Sequence, residues 1–331
     1  MGIGNMVMFI PFLKALRKAY PNSHIVGVFT KPNGSEEILK IIEPTLIDKI
    51  IFTRHGKRGK YVQLIISLVQ LLSKRWDLLI FRYNSISLEL IITAIITRTK
   101  SVVGYGSNED YYNKYNFILT KHVEFIRTEH EVLRYRRLAN SLHILEYWPK
   151  NDNKCRNHTT SSFENKSIAI IPGSSENQKW KRWPLEHWKS LVLELIDQNF
   201  TIYLLGSKIE RELGDEILKN INSKKIKNHI GSMTLKESIE IIRSSKLVIC
   251  NDSSMLHIAH YFSVPTIAIF GPTNHQLTGY NDENTSIVRS VNCKGDCYRF
   301  SHSSMPICSR FKLCLHEVTP QQLIKIINHK I

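Results

Sequence analysis

No stretch of this chain is apolar for long enough to cross a bilayer. The longest, Leu64 to Leu72 and Leu88 to Ile96, fall well short of the ~20 residues a spanning helix needs, and the second contains Glu89. The start, Met1 to Asn5, lacks the basic region of a secretory leader, so a cytoplasmic protein is expected. Acid is scarce: 29 Asp and Glu against 45 Lys and Arg leave a formal charge of +16. Such an excess favours polyanionic partners, among them phosphorylated substrates and an anionic membrane surface. The basic residues are scattered, with no basic helix and no arginine-rich tail, so no nucleic-acid partner is expected. Cysteine is sparse as well. Cys155 and Cys250 stand alone, and Cys293, Cys297, Cys308 and Cys314 form a late cluster. The first spacing of that cluster suits a zinc-ligand pair, but the second is wider than a normal knuckle. With a reducing compartment expected, we read the cluster as reduced thiols without metal.

What is present is an alternation of short apolar strands and amphipathic helices over a length of 331 residues, enough for two domains. In the first half the pattern predicts a helix from Met6 to Tyr20, with Phe9, Leu13 and Leu16 on one face and Lys14, Arg17 and Lys18 on another. Strands follow at His24 to Phe29, Lys49 to Phe52, Asp77 to Phe81 and Ser101 to Tyr105. Helices are expected at Ser35 to Ile42, Tyr61 to Lys74, Leu88 to Thr97 and His130 to Leu142. Residues 151–166 are rich in Asn, Ser and Thr and read as a linker between a domain over 1–150 and one over 167–331. In the second half strands are expected at Ser167 to Ile171, Thr201 to Leu205, Leu247 to Cys250 and Thr266 to Phe270. The helices expected there are Pro184 to Ile196, Ile209 to Asn220, Leu235 to Arg243, Met255 to Phe262 and Val318 to His329, the last capped by Thr319 with Pro320 in its first turn. The class is α/β, with two Rossmann-like, doubly wound parallel-sheet domains. A domain of that kind ordinarily opens on a buried strand. Here Gly2, Gly4 and Asn5 read as the loop after such a strand, with the strand itself missing.

Open α/β sheets bind ligands at the carboxyl ends of their strands, and several expected strand ends carry suitable residues. After Cys250 comes Asn251-Asp252-Ser253-Ser254 and then a helix bearing His257. A helix N-terminus offers unpaired N–H groups and a positive dipole end, which suit phosphate. The same residues also make a plain capped helix. After Ile171 comes Pro172-Gly173-Ser174-Ser175, then Lys179 and Lys181-Arg182-Trp183-Pro184, with hydroxyls and charge enough for a diphosphate. A third loop, Leu205-Gly206-Ser207, leads to Glu210, which either caps its own helix or reaches a ribose hydroxyl. A fourth is Phe270-Gly271-Pro272-Thr273. All four lie on one expected sheet edge.

Together with Asn5 and its apolar helix, Tyr20-Pro21 and Val264-Pro265, these motifs run in an order and spacing that resemble glycosyltransferase family 9, which includes the ADP-heptose:lipopolysaccharide heptosyltransferases. The resemblance spans nearly the whole chain. It implies a GT-B fold, two Rossmann-like domains facing a central cleft, the first meeting the acceptor and the second holding a nucleotide-sugar donor. It places Lys181 and His257 on the donor diphosphate, Asp252 by the donor sugar as a catalytic as well as a donor-binding residue, and Ser253 and Ser254 in the donor site. It puts Ser174, Ser175, Glu210 and Met233 around the nucleotide. It calls for no metal and no other cofactor. The acceptor it implies is a lipopolysaccharide or lipid-linked glycan at the inner face of the cytoplasmic membrane.

Two positions depart from the family pattern. The family's usual base, an Asp, is Asn5 here, and an amide does not take up a hydroxyl proton at neutral pH. The usual Asp-Ser-Gly or Asp-Thr-Gly turn is Asp252-Ser253-Ser254. The expectation is thus an inverting transfer of heptose or a related sugar. The alternatives are a non-catalytic sugar-nucleotide-binding homologue and a GT-B-fold epimerase, although the interdomain carboxylates an epimerase needs are not found.

Overall fold

A computed structural model describes residues 2–30, 33–53, 60–82, 88–106, 116–150, 166–292 and 313–331. The chain divides into two compact units, Met1–Lys150 and Asn151–Ile331. The linker expected at 151–166 lies outside the described residues but for Lys166, as do Cys155, Cys293, Cys297 and Cys308. Among the described residues no helix is long and apolar enough to cross a membrane.

The first unit begins with α1 (Ile3–Ala19) and continues through β1 (Val26–Phe29), α2 (Ser35–Ile42), β2 (Lys49–Phe52), α3 (Lys60–Leu72), β3 (Leu78–Phe81), α4 (Leu88–Ile96), β4 (Ser101–Gly106), β5 (Lys121–Glu124) and α5 (Glu131–Ser141). Strands β1 and β2 pair in parallel, and β3, β4 and β5 form a second parallel sheet in that order. The opening differs from the expected loop. Gly2 is the N-cap of α1, and the Met6 amide donates to the Gly2 carbonyl at 3.1 Å, so Gly4 and Asn5 are helical. First-turn amides need no intrahelical partner. Two poor helix formers therefore cost little there, and the buried side chains of Met6, Val7 and Ile10 hold the turn down.

The second unit runs β6 (Ser167–Ile171), α6 (Leu185–Asp197), β7 (Thr201–Leu204), α7 (Arg211–Leu218), β8 (Ile226–Asn228), α8 (Leu235–Ser244), β9 (Leu247–Asn251), α9 (Ser254–Tyr261), β10 (Thr266–Ile269), α10 (His275–Thr278), β11 (Thr285–Val288), α11 (Leu313–His316) and α12 (Pro320–Lys330). All six strands are parallel, in the order β11-β10-β9-β6-β7-β8. The four inner strands are buried throughout, and their sequences are apolar but for one polar residue at an end of each. Ile168, Ile170, Leu247, Ile249, Ile267 and Ile269 share one core with Trp188 and Leu191 of α6 and with Leu323 and Ile327 of α12. Side chains alternate along a strand, so Ala169, Val248, Cys250 and Ala268 face the other side. The helix expected from Ile209 to Asn220 is broken into a 3-10 turn, Lys208–Glu210, followed by α7. Thr319 caps α12 with a full capping box, and Pro320 stands in its first turn.

Consecutive strands step outward in one direction from β6 and in the other from β9. The order therefore reverses between β6 and β9, and the crevice outside their carboxyl ends is where a sheet of this type takes its ligand.

Candidate functional site

The loops after β6 and β9 meet at that reversal, and one buried side chain joins them. Asn251, the last residue of β9, is fully buried. Its Nδ2 donates to the carbonyls of Pro172 at 2.7 Å and Gly173 at 3.2 Å, and its Oδ1 accepts from the Trp183 amide at 3.0 Å. Trp183 is in turn anchored in the core. Its Nε1 donates to the Val318 carbonyl at 2.8 Å, and its ring meets that of Trp188 edge-on at 4.9 Å. The anchoring of Trp183 fixes where Lys181 and Arg182 leave the loop. Asn251→Leu is expected to strip three backbone groups of their partner and to cost about 2–3 kcal/mol. Thermal unfolding checks it: an unchanged melting temperature would show that the two loops do not depend on this amide.

Lys181 Nζ lies 2.7 Å from Asp252 Oδ2, and the Thr273 hydroxyl, beyond β10, donates to the same oxygen at 2.8 Å. Burial pushes the Asp252 carboxyl up, but the adjacent Lys181 ammonium and the Thr273 hydrogen bond outweigh it and hold the group below the usual carboxylate value. Asp252 is therefore an ionised positioning group at neutral pH and a weak proton acceptor. Lys179, two residues before Lys181, is exposed.

Ser253 is the N-cap of α9 but makes no side-chain cap. Its hydroxyl is buried and, among the described residues, has no hydrogen-bond partner. Ser254 is the first residue of the helix and half-buried. One turn on, the buried His257 has Nδ1 2.9 Å from the Tyr280 hydroxyl. Burial, with the charge of Asp282, pushes the Tyr280 phenol up, so it stays protonated. When Tyr280 donates to Nδ1, the neutral imidazole carries its own proton on Nε2, the tautomer with a donor to offer an anion. Tyr280 is itself held by stacking on His260, with ring centroids 3.4 Å apart.

Ser174 and Glu210 close the other side of the crevice. Ser174 Oγ donates to the Gln178 carbonyl at 3.0 Å and accepts from Arg182 Nε at 3.2 Å. Glu210 Oε2 accepts from the amide and hydroxyl of Ser207, both at 2.8 Å, and Oε1 lies 3.5 Å from Arg182 Nη2. The Glu210 carboxylate thus caps its own turn and rests over Gly173, where an added Cβ would sit 1.7 Å from Oε1. Only glycine allows this approach. Ser175 is exposed at the start of the 3-10 turn Glu176–Lys181, and Met233 is half-buried in the loop after β8.

The second unit thus brings Ser174, Lys181, Glu210, Asp252, Ser253, Ser254 and His257 to one sheet edge, with Ser175 and Met233 on neighbouring loops of it. Asn5 belongs to the first unit, half-buried in the first turn of α1. Sequence reasoning assigned no role to Asn251, Thr273 or Tyr280. For Asn251 a signal was there: a polar residue ending a fully apolar strand needs buried partners. Tyr280 had none, since its contact with His257 forms only in three dimensions. Among the described residues no group of three or more His, Cys, Asp or Glu is placed to hold a metal ion. Of the late cysteines, Cys314 is described, and it is buried.

The chain is similar to known proteins over a span that includes this site. The profile of glycosyltransferase family 9 (heptosyltransferase) matches residues 65–305. Lipopolysaccharide heptosyltransferase 2 of Escherichia coli (strain K12) is 28% identical over 180 residues, covering 52% of this chain and 49% of that protein. Lipooligosaccharide heptosyltransferase 2 of Campylobacter jejuni (serotype O:6) is 27% identical over 338 residues, covering 98% and 95%. The chain spans about half the length of several of the relatives it matches, the Escherichia coli protein among them. In fold it is similar to the solved E. coli ADP-heptose lipopolysaccharide heptosyltransferase II, with a TM-score of 0.73, 20% identity, and 100% of this chain and 96% of that one covered. An E. coli heptosyltransferase solved with ADP gives a TM-score of 0.70 at 16% identity, covering 100% of this chain and 98% of that one. These likenesses show the GT-B type of α/β fold.

Proposed function

The chain belongs to glycosyltransferase family 9, and from that premise we propose that it is an inverting transferase of heptose or a related sugar. The donor is a nucleoside-diphosphate sugar, ADP-heptose by the names of its relatives, and the acceptor a lipopolysaccharide core or similar surface glycan. The observation that carries this reading is the crevice between β6 and β9, where Lys181, paired to Asp252, stands with the unpartnered Ser253 hydroxyl at the N-terminus of α9.

In a single displacement the acceptor hydroxyl oxygen bonds to the anomeric carbon and gives up its proton to a general base, while the bond from that carbon to the diphosphate oxygen breaks. Negative charge grows on the leaving diphosphate. Lys181, the first-turn amides of α9 and His257 are the groups aimed at such charge, and fixed donors there lower the barrier. Asp252 keeps the Lys181 ammonium at the crevice, beside the place of the donor sugar. The decisive experiment follows release of nucleoside diphosphate from ADP-heptose. Release that needs a heptose-deficient core glycan supports transfer. Release at the same rate without acceptor, or none with it, would overturn the proposal.

A second reading, a homologue that binds sugar nucleotide without transfer, rests on Asn5. The first turn of α1 holds no acidic residue, so Asn5→Asp adds a charge that the helix dipole favours. General-base catalysis contributes about 10²–10⁴-fold. We expect Asn5→Asp to change turnover by far less than about a hundredfold, the outcome of a reaction in which a group other than residue 5 takes the acceptor proton. Steady-state rates with acceptor check this, and a gain of that size would mean that the natural chain lacks its base.

A further inference from the structure

Helix α3 carries apolar residues on the side that faces solvent as well as on its buried side. Ser67 and Leu71 turn inward and are buried, while Val62, Ile65, Ile66 and Val69 are 60%, 60%, 43% and 61% exposed. Those four stand at i, i+3, i+4 and i+7, one continuous stripe. The exposed face of α8 has the ordinary character of a solvated helix, with Lys236, Glu237, Glu240 and Arg243 on it. On α4, which packs against α3, Ile95 and Ile96 are each 59% exposed. An apolar face this long on a helix otherwise seated in a domain calls for a cover.

The charge around it names the cover. No Asp or Glu stands between Asp48 and Asp77. Arg54, Lys57, Arg58 and Lys60 precede the stripe in sequence, and Lys74 and Arg75 follow it. Lys74 and Arg75 are exposed, as are Arg98 and Lys100 just beyond α4. An apolar stripe with exposed Lys74 and Arg75 after it, and Arg98 and Lys100 after the neighbouring helix, fits an anionic lipid surface, which takes up the stripe and attracts the charge together. A second copy of the chain fits poorly. A two-fold contact sets the same patch against itself and brings these basic flanks toward their own copies.

We propose that the exposed face of α3, with Ile95 and Ile96 of α4 beside it, docks the protein on an anionic lipid bilayer. The helix lies in the plane of the interface, and its stripe spans about 10 Å along the axis. Docking deepens the proposed function, because it rests on an acceptor anchored in lipid. Its test reads no turnover, so either idea can fail without the other.

The full chain is sedimented with vesicles of phosphatidylglycerol and phosphatidylethanolamine, and separately with phosphatidylcholine alone, at about 0.1 M salt. The wild type should partition onto the anionic vesicles and not onto the neutral ones. The double variant Ile65→Ser/Val69→Ser and the double variant Lys74→Glu/Arg75→Glu should each lose at least about tenfold in partition coefficient, since one surface cation alone is worth about fivefold. Lys219→Glu/Lys224→Glu, an equal charge change on exposed positions of the second unit, should lose far less. The proposal is overturned by equal binding to neutral vesicles, or by apolar-stripe and charge variants that bind like the wild type. It is also overturned by a wild-type dimer in sedimentation velocity that the serine variant converts to monomer.

Discussion

Glu131→Ala should destabilise the first unit by about 3–5 kcal/mol, the cost of leaving buried cations without their carboxylate. Glu131 is 4% exposed and Arg134 1%. One carboxylate oxygen lies 3.2 Å from Arg82 Nη2 and accepts from the Tyr135 hydroxyl, and the other lies 3.2 Å from Arg134 Nη1. Arg134 also donates to the carbonyls of Ile126 at 3.0 Å and Arg127 at 2.7 Å, and its guanidinium sits 4.7 Å from the centre of the Phe125 ring. Arg82 Nε donates to the Tyr135 hydroxyl at 2.6 Å. Phe9 of α1 packs edge-on against Tyr135 at 4.8 Å. The network thus ties the end of β3, the start of α5 and the helix that carries Asn5. Arg137, exposed and 2.8 Å from Glu129, supplies the contrast: its loss should cost no more than about 1 kcal/mol, as for surface pairs generally. Because a two-unit chain need not unfold in one step, hydrogen exchange is the cleaner measurement. Amides of α1 and α5 should lose protection in Glu131→Ala while those of β6 and β9 keep theirs. Loss of protection in both units alike, or in neither, would contradict the local role given to this carboxylate.

How much of this was legible in the sequence depended on burial. The inner strands β6, β7, β9 and β10 were read within a residue or so at each end, because both of their faces are covered and their sequences carry no polar interruption. The three strands not foreseen are β5, β8 and β11, each at the edge of its sheet. In Lys121–Glu124 only Val123 is buried, and Ile226–Asn228 has no buried residue. An edge strand has one neighbour and little apolar demand, so no periodicity marks it. At the site, loop positions followed from strand ends, and the basic and hydroxyl residues were named from them. The links between loops were not. Asn251 reaching Pro172 and Thr273 reaching Asp252 cross sequence separations that only the strand order brings together. Glu210 lying over Gly173 depends on a close approach that no spacing encodes.

Lys181→Ala should weaken binding of ADP by about 1.5–3 kcal/mol, the worth of a charge-assisted contact, or roughly ten- to a hundredfold in affinity. The loss falls toward the upper end, because removing the ammonium also leaves Asp252, 6% exposed, facing the diphosphate with its charge uncompensated. Lys179 carries the same charge two residues away, but it is exposed and outside the pair with Asp252. Its replacement should change affinity by no more than about twofold, as for most surface substitutions. Titration calorimetry of ADP into wild type, Lys181→Ala and Lys179→Ala tests the site itself, without acceptor and without turnover. The crevice between β6 and β9 as the diphosphate site predicts a selective loss at Lys181; equal losses in the two variants, or none in either, would contradict it.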